Sequence, residues 1–222
     1  MNSAGEAFGW AFRDPSWAGK MIVQALILII PIVGWIATTG WLMMAFENAR
    51  AGRDELPPAG FHLGRGIAFF GVYLIYSIAL NIPGWILQLV GSVGMVQRCN
   101  QGFCSSQFVG GPLSGLGSLW SFLVQLLIYF LTPTLVVMVF HHGFAGGFDL
   151  AGVWRYATTN VGNSIIAAML FFVSSIIGAL GVIACCIGVF LTIVYSVSVQ
   201  AGVAAWFERV QSAPATPTAP AA

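Results

Sequence analysis

The sequence predicts an all-α integral membrane protein, and the distribution of its charged residues is the main reason. Only 7% of the 222 residues are charged and 58% are hydrophobic, whereas a soluble domain carries about 25% charged residues. The eight basic and seven acidic residues all lie outside four apolar segments. About 18 uncharged apolar residues already suffice for a membrane-spanning helix. Each of the four segments is longer than that: 21–46, 66–91, 116–140 and 156–207.

The expected architecture is a helical bundle of four full spans, preceded by an N-terminal re-entrant or broken hairpin. Five full spans are the alternative. The last apolar stretch, residues 163–207, contains no charge. It would form about 68 Å of helix, which is too long for one crossing of a hydrocarbon core about 30 Å thick. We therefore divide it near Gly181–Cys185 into two spans, 163–182 and 185–207.

The chain is expected to have three parts. Residues 1–20 form an interfacial N-terminal segment, because aromatic and basic side chains are mixed there and both favour the headgroup level. Asp14-Pro15 predicts the start of the first helix, since Asp is a good cap and proline suits the first helical position. Residues 21–207 form a single transmembrane helical domain. Residues 208–222 form a Pro/Ala-rich tail, for which we expect disorder.

Prolines and glycines interrupt the apolar segments. Proline cannot donate a hydrogen bond to the carbonyl four residues earlier, so a helix kinks or breaks there. In lipid, a broken backbone must be shielded by protein. The expected broken-helix positions are Pro31, Gly34, Pro83, Gly84 and Pro133.

The basic residues favour the hairpin at the N-terminus. If segment 21–46 returns, seven of the eight basic residues share one side and only Arg98 lies opposite. If that segment crosses once, the division is five to three. Basic residues concentrate on the cytoplasmic side. The loop 92–115 is therefore expected outside, and the C-terminus in the cytoplasm.

Two pairs of residues are considered as sites, one for a disulfide and one for a metal ion. Cys99 and Cys104 lie in the outward loop, where oxidising conditions permit a disulfide. His141 and His142 follow an apolar segment directly, but neighbouring helical residues point about 100° apart and make a poor metal pair. Anchoring at the interface is the favoured interpretation. We predict no catalytic, cofactor-binding or metal residues.

The densest polar cluster follows the first apolar segment. Its mixture of acidic and basic residues is compatible with catalysis or partner binding, and also with a solvated loop flanking the membrane. No nucleophile–base pair or phosphate-binding glycine loop accompanies it, so we favour the solvated loop. The cluster consists of Glu47, Asn48, Arg50, Arg53, Asp54 and Glu55.

Several short motifs follow one another in the first quarter of the chain. They are Phe12-Arg13-Asp14-Pro15-Ser16-Trp17, Pro31-Ile32-Val33-Gly34, Gly40-Trp41, Arg50-Ala51-Gly52 and Leu56-Pro57. Together they resemble the prokaryotic membrane-protein family catalogued as domain of unknown function 4013. Its pattern begins F-x-D-P-x-W, continues through a P-x-x-G break and a G-Y pair, and ends in a basic loop containing L-P. This chain has Trp41 where the family usually has Tyr. The resemblance implies a bacterial or archaeal inner membrane and no known activity.

Three functions are compatible with these observations. We favour a non-enzymatic scaffold or assembly partner, because the spans are uncharged and no catalytic motif occurs. A small transporter or channel subunit is the alternative, supported by the interrupted segments, although coupled carriers usually place ionisable residues inside the membrane. A lipid-acting membrane enzyme is third. The expected partners are the lipid bilayer and other membrane proteins or further copies of the chain. Nucleic acid is not expected at a net charge of +1.

The hairpin topology makes a testable prediction about sidedness. Asn2→Cys, Ala51→Cys and Ser106→Cys are introduced singly into a background without the four native cysteines. Intact cells are then treated with a membrane-impermeant maleimide. We expect labelling only at position 106, because the hairpin places the other two sites on the cytoplasmic face. Labelling at position 2 as well would contradict the hairpin.

Overall fold

The computed structural model describes residues 3–93, 95–100, 103–108 and 111–212, with backbone alone for 93, 95–100, 103–108 and 184–187. These residues form an all-α bundle with one added β-hairpin. The α-helices are α1 (Trp17–Leu28), α2 (Val33–Arg50), α3 (Leu63–Val93), α4 (Gly111–Gly146), α5 (Leu150–Thr159), α6 (Val161–Leu180) and α7 (Cys185–Ser212). Short 3-10 helices span Ala4–Phe8, Trp10–Arg13 and Gly181–Ala184, and the strands are β1 (Met95–Asn100) and β2 (Phe103–Phe108).

Four helices of the described chain are long and apolar enough to cross a membrane. They correspond to the four predicted full spans, and the division of the last apolar stretch near Gly181 is where the third 3-10 helix separates α6 from α7. The predicted all-α fold is therefore confirmed. The four helical stretches are Leu63–Ser92, Gly111–Gly146, Val161–Ile183 and Gly188–Ser212.

The last helix and one further helix extend the description of the predicted segments. α7 ends at Ser212, and residues 213–222 of the expected tail lie outside the described residues. A helix, α5, also forms in the loop between the third and fourth spans. It forms there because the Asp149 carboxylate accepts the Gly152 N–H at 2.9 Å and so caps its first turn.

The helices continue through the inner prolines, which corrects the expectation of breaks at Pro83, Gly84 and Pro133. Pro83 lies inside α3 and Pro133 inside α4, and both positions are helical. Proline costs a helix one hydrogen bond and a steric contact. A long apolar helix tolerates that cost where a neighbouring side chain satisfies the freed carbonyl groups.

A side chain of α4 donates close to Pro83. The indole N–H of Trp120 donates to the Leu80 carbonyl at 2.9 Å, one residue after Ala79, whose carbonyl loses its helical donor because of the proline. Gly84 serves close packing at the same level. A Cβ atom on Gly84 would lie 3.2 Å from the Gly117 carbonyl oxygen of α4. The Pro-Gly pair therefore marks a place where α3 and α4 approach closely, and not an end of α3.

The interruption near Pro31 is a tight turn between α1 and α2. Ile32 has φ +63° and ψ −59°, and the Val33 N–H donates to the Pro31 carbonyl at 2.6 Å, which is a γ-turn. A β-branched residue rarely adopts positive φ, and such strain costs about 1–3 kcal/mol. Gly34 lies inside α2, and a Cβ atom there would be 2.5 Å from the Ile27 carbonyl oxygen of α1.

The turn sends the chain back, so that α1 and α2 form a hairpin. The Arg13 guanidinium lies 3.1 Å from the Asp54 carboxylate, and the Leu56 N–H donates to Asp14 Oδ2 at 2.8 Å. A single kinked span over 21–46 would separate the residues on its two sides by about 39 Å. These contacts exclude a fifth full span in this segment.

Asp14 is the fixed point of the hairpin. Its side chain is only 3% exposed. Oδ1 accepts the N–H and O–H of Ser16 at 2.8 and 2.7 Å, and Oδ2 accepts the Lys20 ammonium at 2.6 Å besides Leu56 N–H. Burial alone would raise the pKa of Asp14, but these hydrogen bonds, led by that from Lys20, lower the pKa well below its ordinary value. The carboxylate is therefore held ionised.

The start of α1 also differs from the expectation. α1 begins at Trp17 with Ser16 as its N-cap residue, and not at Pro15. The Asp14 carboxylate accepts the Ser16 N–H and thereby forms a turn ahead of the helix. Asp14 thus joins the N-terminal segment to the chain after α2, in addition to ordering the entry into α1.

The chain after α2 forms an irregular strap, residues 53–60, whose backbone groups are satisfied by side chains of α1 and α2. Unpaired backbone groups are costly when buried, so these bonds allow the strap to lie against the two helices. The bonds are Lys20 Nζ to the Leu56 carbonyl (2.8 Å), Trp41 Nε1 to the Pro57 carbonyl (3.3 Å) and Gly60 N–H to Gln24 Oε1 (3.1 Å).

α7 is the central helix of a compact unit formed by Met1–Val72 and Tyr129–Ala222. The N-terminal segment packs on it: the Trp10 indole donates to the Ser198 carbonyl at 3.0 Å, and the Tyr195 hydroxyl donates to the Phe8 carbonyl at 2.8 Å. Trp10 is 1% exposed. This part of the expected interfacial segment is therefore buried against protein. Residues of α7 with no exposed surface are Val194, Val199, Ala201, Val203, Ala204 and Phe207.

A second compact unit comprises Tyr73–Ile128. The adjoining parts of α3 and α4 form it, with Gln88 Nε2 donating to Ser121 Oγ at 3.3 Å. In the sequence, β1 and β2 lie between α3 and α4. The two strands pair with each other in antiparallel register.

The register of the β-hairpin places Cys99 directly opposite Cys104. Directly opposed residues of antiparallel strands have Cα atoms about 4.5–5.5 Å apart, a separation that a disulfide can bridge. The two side chains lie outside the described residues. The disulfide stays a prediction.

The Asp14 clamp makes a prediction about stability. We expect Asp14→Asn to lower the free energy of unfolding by roughly 3 kcal/mol at about pH 7, because it removes the buried charge that pairs with Lys20 and replaces one accepting oxygen by an NH2 group, which accepts no hydrogen bond. The folded-state pKa is depressed, so this stabilisation is present above the unfolded pKa and is lost as the pH falls. The difference between the two proteins should shrink below about pH 4.

Denaturation of detergent-solubilised protein at neutral and acidic pH measures this difference. Asp54→Asn is the matched control, since the Asp54 side chain is 59% exposed and exposed ion pairs contribute about 0–1 kcal/mol. An equal loss of stability in both variants would contradict the clamp.

Candidate functional site

A buried carboxylate and two basic side chains meet near the C-terminal end of α7. Glu208 is 11% exposed at its side chain. His141 Nε2 lies 2.7 Å from its Oε1, and Arg50 Nε lies 2.8 Å from its Oε2. The Arg50 contact is an ion pair that lacks the angle of a well-directed hydrogen bond. A carboxylate near a helix C-terminus opposes the helix dipole, so the Arg50 guanidinium and the hydrogen bond with His141 compensate Glu208 both for its burial and for that field.

Aromatic rings surround the ion cluster. The Arg50 guanidinium carbon lies 5.6 Å from the centroid of the Phe140 ring, close enough for a cation–π interaction. Tyr156 of α5 packs edge-on against Phe207 at 5.9 Å. Burial first, and then the charge of Glu208, raise the pKa of Tyr156. The phenol therefore stays protonated and acts as a neutral neighbour of the carboxylate.

A cleft of about 370 Å³ lies beside this cluster, between α2, α3 and α4 and within the first unit. Arg65 and Glu47 form an ion pair in its wall, and both side chains are partly exposed. The volume falls within the range of small-molecule sites, about 300–1,000 Å³. The cleft is lined by Met43, Glu47, Arg65, Ala68, Val139, Phe140 and Gly143.

Gly143 interrupts α4 at the edge of the cleft. Its φ of +66° and ψ of −159° are non-helical, and nothing lies within 4 Å of the position that a Cβ atom would take. The requirement for glycine is therefore conformational, since side chains disfavour positive φ. The helical path changes direction here, just after His141 and His142.

The structure separates the six residues of the predicted polar cluster into different contacts. They do not converge on one site, and each contact fixes a loop or a helix end. The pairs are Glu47 with Arg65, Arg50 with Glu208, and Asp54 with Arg13. The side-chain amide of Asn48 donates to the Glu55 carbonyl at 2.8 Å, and the Arg53 N–H donates to the Asn48 carbonyl at 2.9 Å.

Sequence reasoning missed Arg65, His141 and Glu208 as partners in these contacts. A signal exists for Glu208, because it is the first charged residue after 52 uncharged ones and an isolated carboxylate at the end of an apolar helix needs a cation. Its partners come from α2 and α4, far away in the sequence. Only packing of the helices identifies them.

The arrangement is suited to ion pairing and hydrogen bonding. Within the described residues, no three His, Cys, Asp or Glu side chains are grouped as a metal site would require. His141 is hydrogen-bonded to Glu208, and no serine, threonine or cysteine is among the residues that line the cleft. The site can hold charged or zwitterionic groups without a covalent step.

The Glu208 cluster makes a prediction about coupling. We expect Glu208→Gln to lower the free energy of unfolding by about 2 kcal/mol, because it removes the charge that pairs with Arg50 and weakens the hydrogen bond with His141 at a buried site. A double-mutant cycle with Arg50→Gln should give a coupling energy of about 1–2 kcal/mol. The exposed pair Arg13–Asp54 provides the matched cycle, for which we expect less than about 1 kcal/mol. Equal coupling in the two cycles would refute a special role for Glu208.

Comparison with known proteins gives one match. Residues 23–187 match the model of a family described as "Protein of unknown function (DUF4013)". Neither the search of curated proteins nor the search of solved structures gives a match. The matched range begins inside α1, includes the cleft between α2, α3 and α4, and ends in α7 before Glu208.

Proposed function

We propose that this chain, which belongs to the DUF4013 family of proteins of unknown function, is a non-enzymatic scaffold or assembly partner of the bacterial or archaeal inner membrane. Four helices long and apolar enough to cross a bilayer support a multi-pass membrane protein. The family resemblance supports the choice of membrane. The chemistry of the polar groups supports the choice of a scaffold.

The observation that carries the proposal is the internal use of buried charge. Asp14 has four donors from its own chain, and Glu208 has two basic partners from other helices. Catalytic and transport sites need polar groups that change partners during each cycle. Here the buried carboxylates are committed to holding helices together. Such permanent internal contacts stabilise one conformation, as a scaffold protein requires.

The apolar surfaces suggest how a scaffold would meet its partners. Only 22% of the apolar window of α3 and 28% of that of α6 are buried within this chain. Lipid or the helices of another membrane protein must cover the remainder. Large apolar side chains exposed on α6 include Ile165, Ile166, Met169, Phe172 and Val173. We propose that part of this face is occupied by a partner helix.

The test measures the subunit stoichiometry of the complex and the solute flux across liposomes, both with the same protein. The tagged chain is extracted from its native membrane with its surrounding lipids and analysed by native mass spectrometry. We expect a complex of fixed stoichiometry that contains a second membrane protein or a defined number of copies. Ile166→Trp and Met169→Trp should abolish the complex while the chain stays folded, since bulky side chains would block a packed helix face.

Leu119→Trp, at an exposed position of α4, is the control and should leave the complex intact. The same protein in liposomes should give no solute flux above empty liposomes. A solitary chain that supports flux, with flux lost in Asn81→Leu or Gln125→Leu, would replace the scaffold by a transporter.

A further inference from the structure

We propose that the cleft between α2, α3 and α4 binds one phospholipid whose headgroup carries both a phosphate and a primary ammonium group. This inference is independent of the scaffold proposal, because it concerns a ligand of the cleft and not a protein partner. Three observations carry it: the order of polar and apolar residues along the cleft, its level on the helices, and the bonding capacity of Glu47 and Arg65.

The cleft is charged at one end and apolar at the other. On α2, Glu47 lies one turn after Met43; on α3, Arg65 lies one turn before Ala68. α2 ends where α3 begins, after the strap, and the Glu47–Arg65 ion pair joins the two helices there. The apolar residues Met43 and Ala68 therefore lie on the same side of the ion pair. Such a gradient fits an amphiphile, with its charged group at the ion pair and its chains beyond it.

The charged end lies at the level of a lipid headgroup. Arg65 is in the first turn of the apolar helix Leu63–Ser92, and Gly143 is in the last turn of the apolar helix Gly111–Gly146. These two ends lie at the same membrane surface if both helices span, because the helices are consecutive and antiparallel. Val139, one turn further into α4 than Gly143, continues the apolar wall. A water-soluble ligand would gain no favourable contact from apolar walls that extend toward the hydrocarbon core.

Glu47 and Arg65 are partly exposed and have bonding capacity to spare. Their side chains are 39% and 56% exposed. Their mutual contact uses Glu47 Oε2 and Arg65 Nη1, whereas a guanidinium has five N–H donors and a carboxylate two acceptor oxygens. Arginine binds phosphate through two parallel N–H···O bonds, and a carboxylate accepts from an ammonium group. Exposed ion pairs are weak, so a ligand can also compete with this one.

The aromatic residue of the cleft disfavours a quaternary ammonium group. Such groups are recognised over the faces of aromatic rings. The Phe140 ring already has the Arg50 guanidinium carbon 5.6 Å from its centroid and Phe46 packed edge-on at 5.0 Å. A choline group has no N–H donor for Glu47. The site therefore selects a primary ammonium, as in an ethanolamine headgroup.

The test is a lipid titration of the delipidated full chain in detergent, followed by native mass spectrometry. The probes are phosphatidylethanolamine, phosphatidylcholine and phosphatidylglycerol with identical acyl chains. We expect the first bound phosphatidylethanolamine to associate about tenfold more tightly than either of the other lipids. Arg65→Gln should weaken that binding about tenfold. Glu47→Gln should remove the preference over phosphatidylglycerol, because it removes the acceptor of the ammonium group.

Arg13→Gln is the matched control, since Arg13 belongs to another partly exposed ion pair and does not line the cleft. Its lipid preference should equal that of the wild type, and thermal melting of each variant confirms folding. Equal binding of the three lipids, or a preference that survives both Glu47→Gln and Arg65→Gln, would overturn the proposal. Glycerophosphoethanolamine is added as a competitor. Full displacement at the affinity of the lipid would identify a soluble ligand and likewise overturn it.

Discussion

The buried Asp14 carboxylate is the interaction on which the N-terminal half of this structure depends. It binds the turn before α1, the ammonium of Lys20 and the backbone of Leu56 together. Each of these groups belongs to a different part of the chain, and the carboxylate satisfies all of them because an ionised side chain accepts several hydrogen bonds. The γ-turn at Ile32 is strained. It persists because both ends of the hairpin are held in this way.

The strap follows from the same constraint. Once Leu56 is bound to Asp14 and Lys20, the chain must lie along α1 and α2, where Trp41 and Gln24 meet its backbone at Pro57 and Gly60. A segment without regular structure is thereby accommodated beside apolar helices at little cost in unsatisfied groups. It then delivers Arg65 to the end of α2, where Glu47 binds it. The cleft is a consequence of where the strap ends.

The two carboxylates Asp14 and Glu208 solve the same physical problem in different ways. Asp14 is satisfied mainly by groups close in sequence together with one returning backbone group. Glu208 is satisfied by side chains from two distant helices. Glu47, with its more exposed side chain, remains accessible to a ligand. Exposure thus separates the charges that maintain the fold from those available for binding.

A substantial part of the architecture could be predicted from the sequence. The uncharged apolar segments identify the four long helices, and the glycine-rich interval near Gly181 identifies the division between α6 and α7. These predictions succeed because the hydrocarbon thickness imposes a length on every span. The charge distribution also favours the hairpin that the contacts of Arg13 and Asp54 establish. Such features depend only on local composition and on a uniform solvent.

The predictions for individual residues fared differently. Pro83 and Pro133 lie within continuous helices. Next to Pro83, the distant Trp120 donates to the Leu80 carbonyl of the same turn. The polar residues near Glu47 are adjacent in sequence yet bind partners as far away as Glu208. The sequence by itself determined the number of long apolar helices and the segments that form them, since an uncharged apolar run is a property of each segment separately. Only the tertiary structure decided the pairing of the charges, the cleft and the continuity of the proline-containing helices, because a buried polar group is satisfied by whichever donor or acceptor the packing brings within about 3 Å.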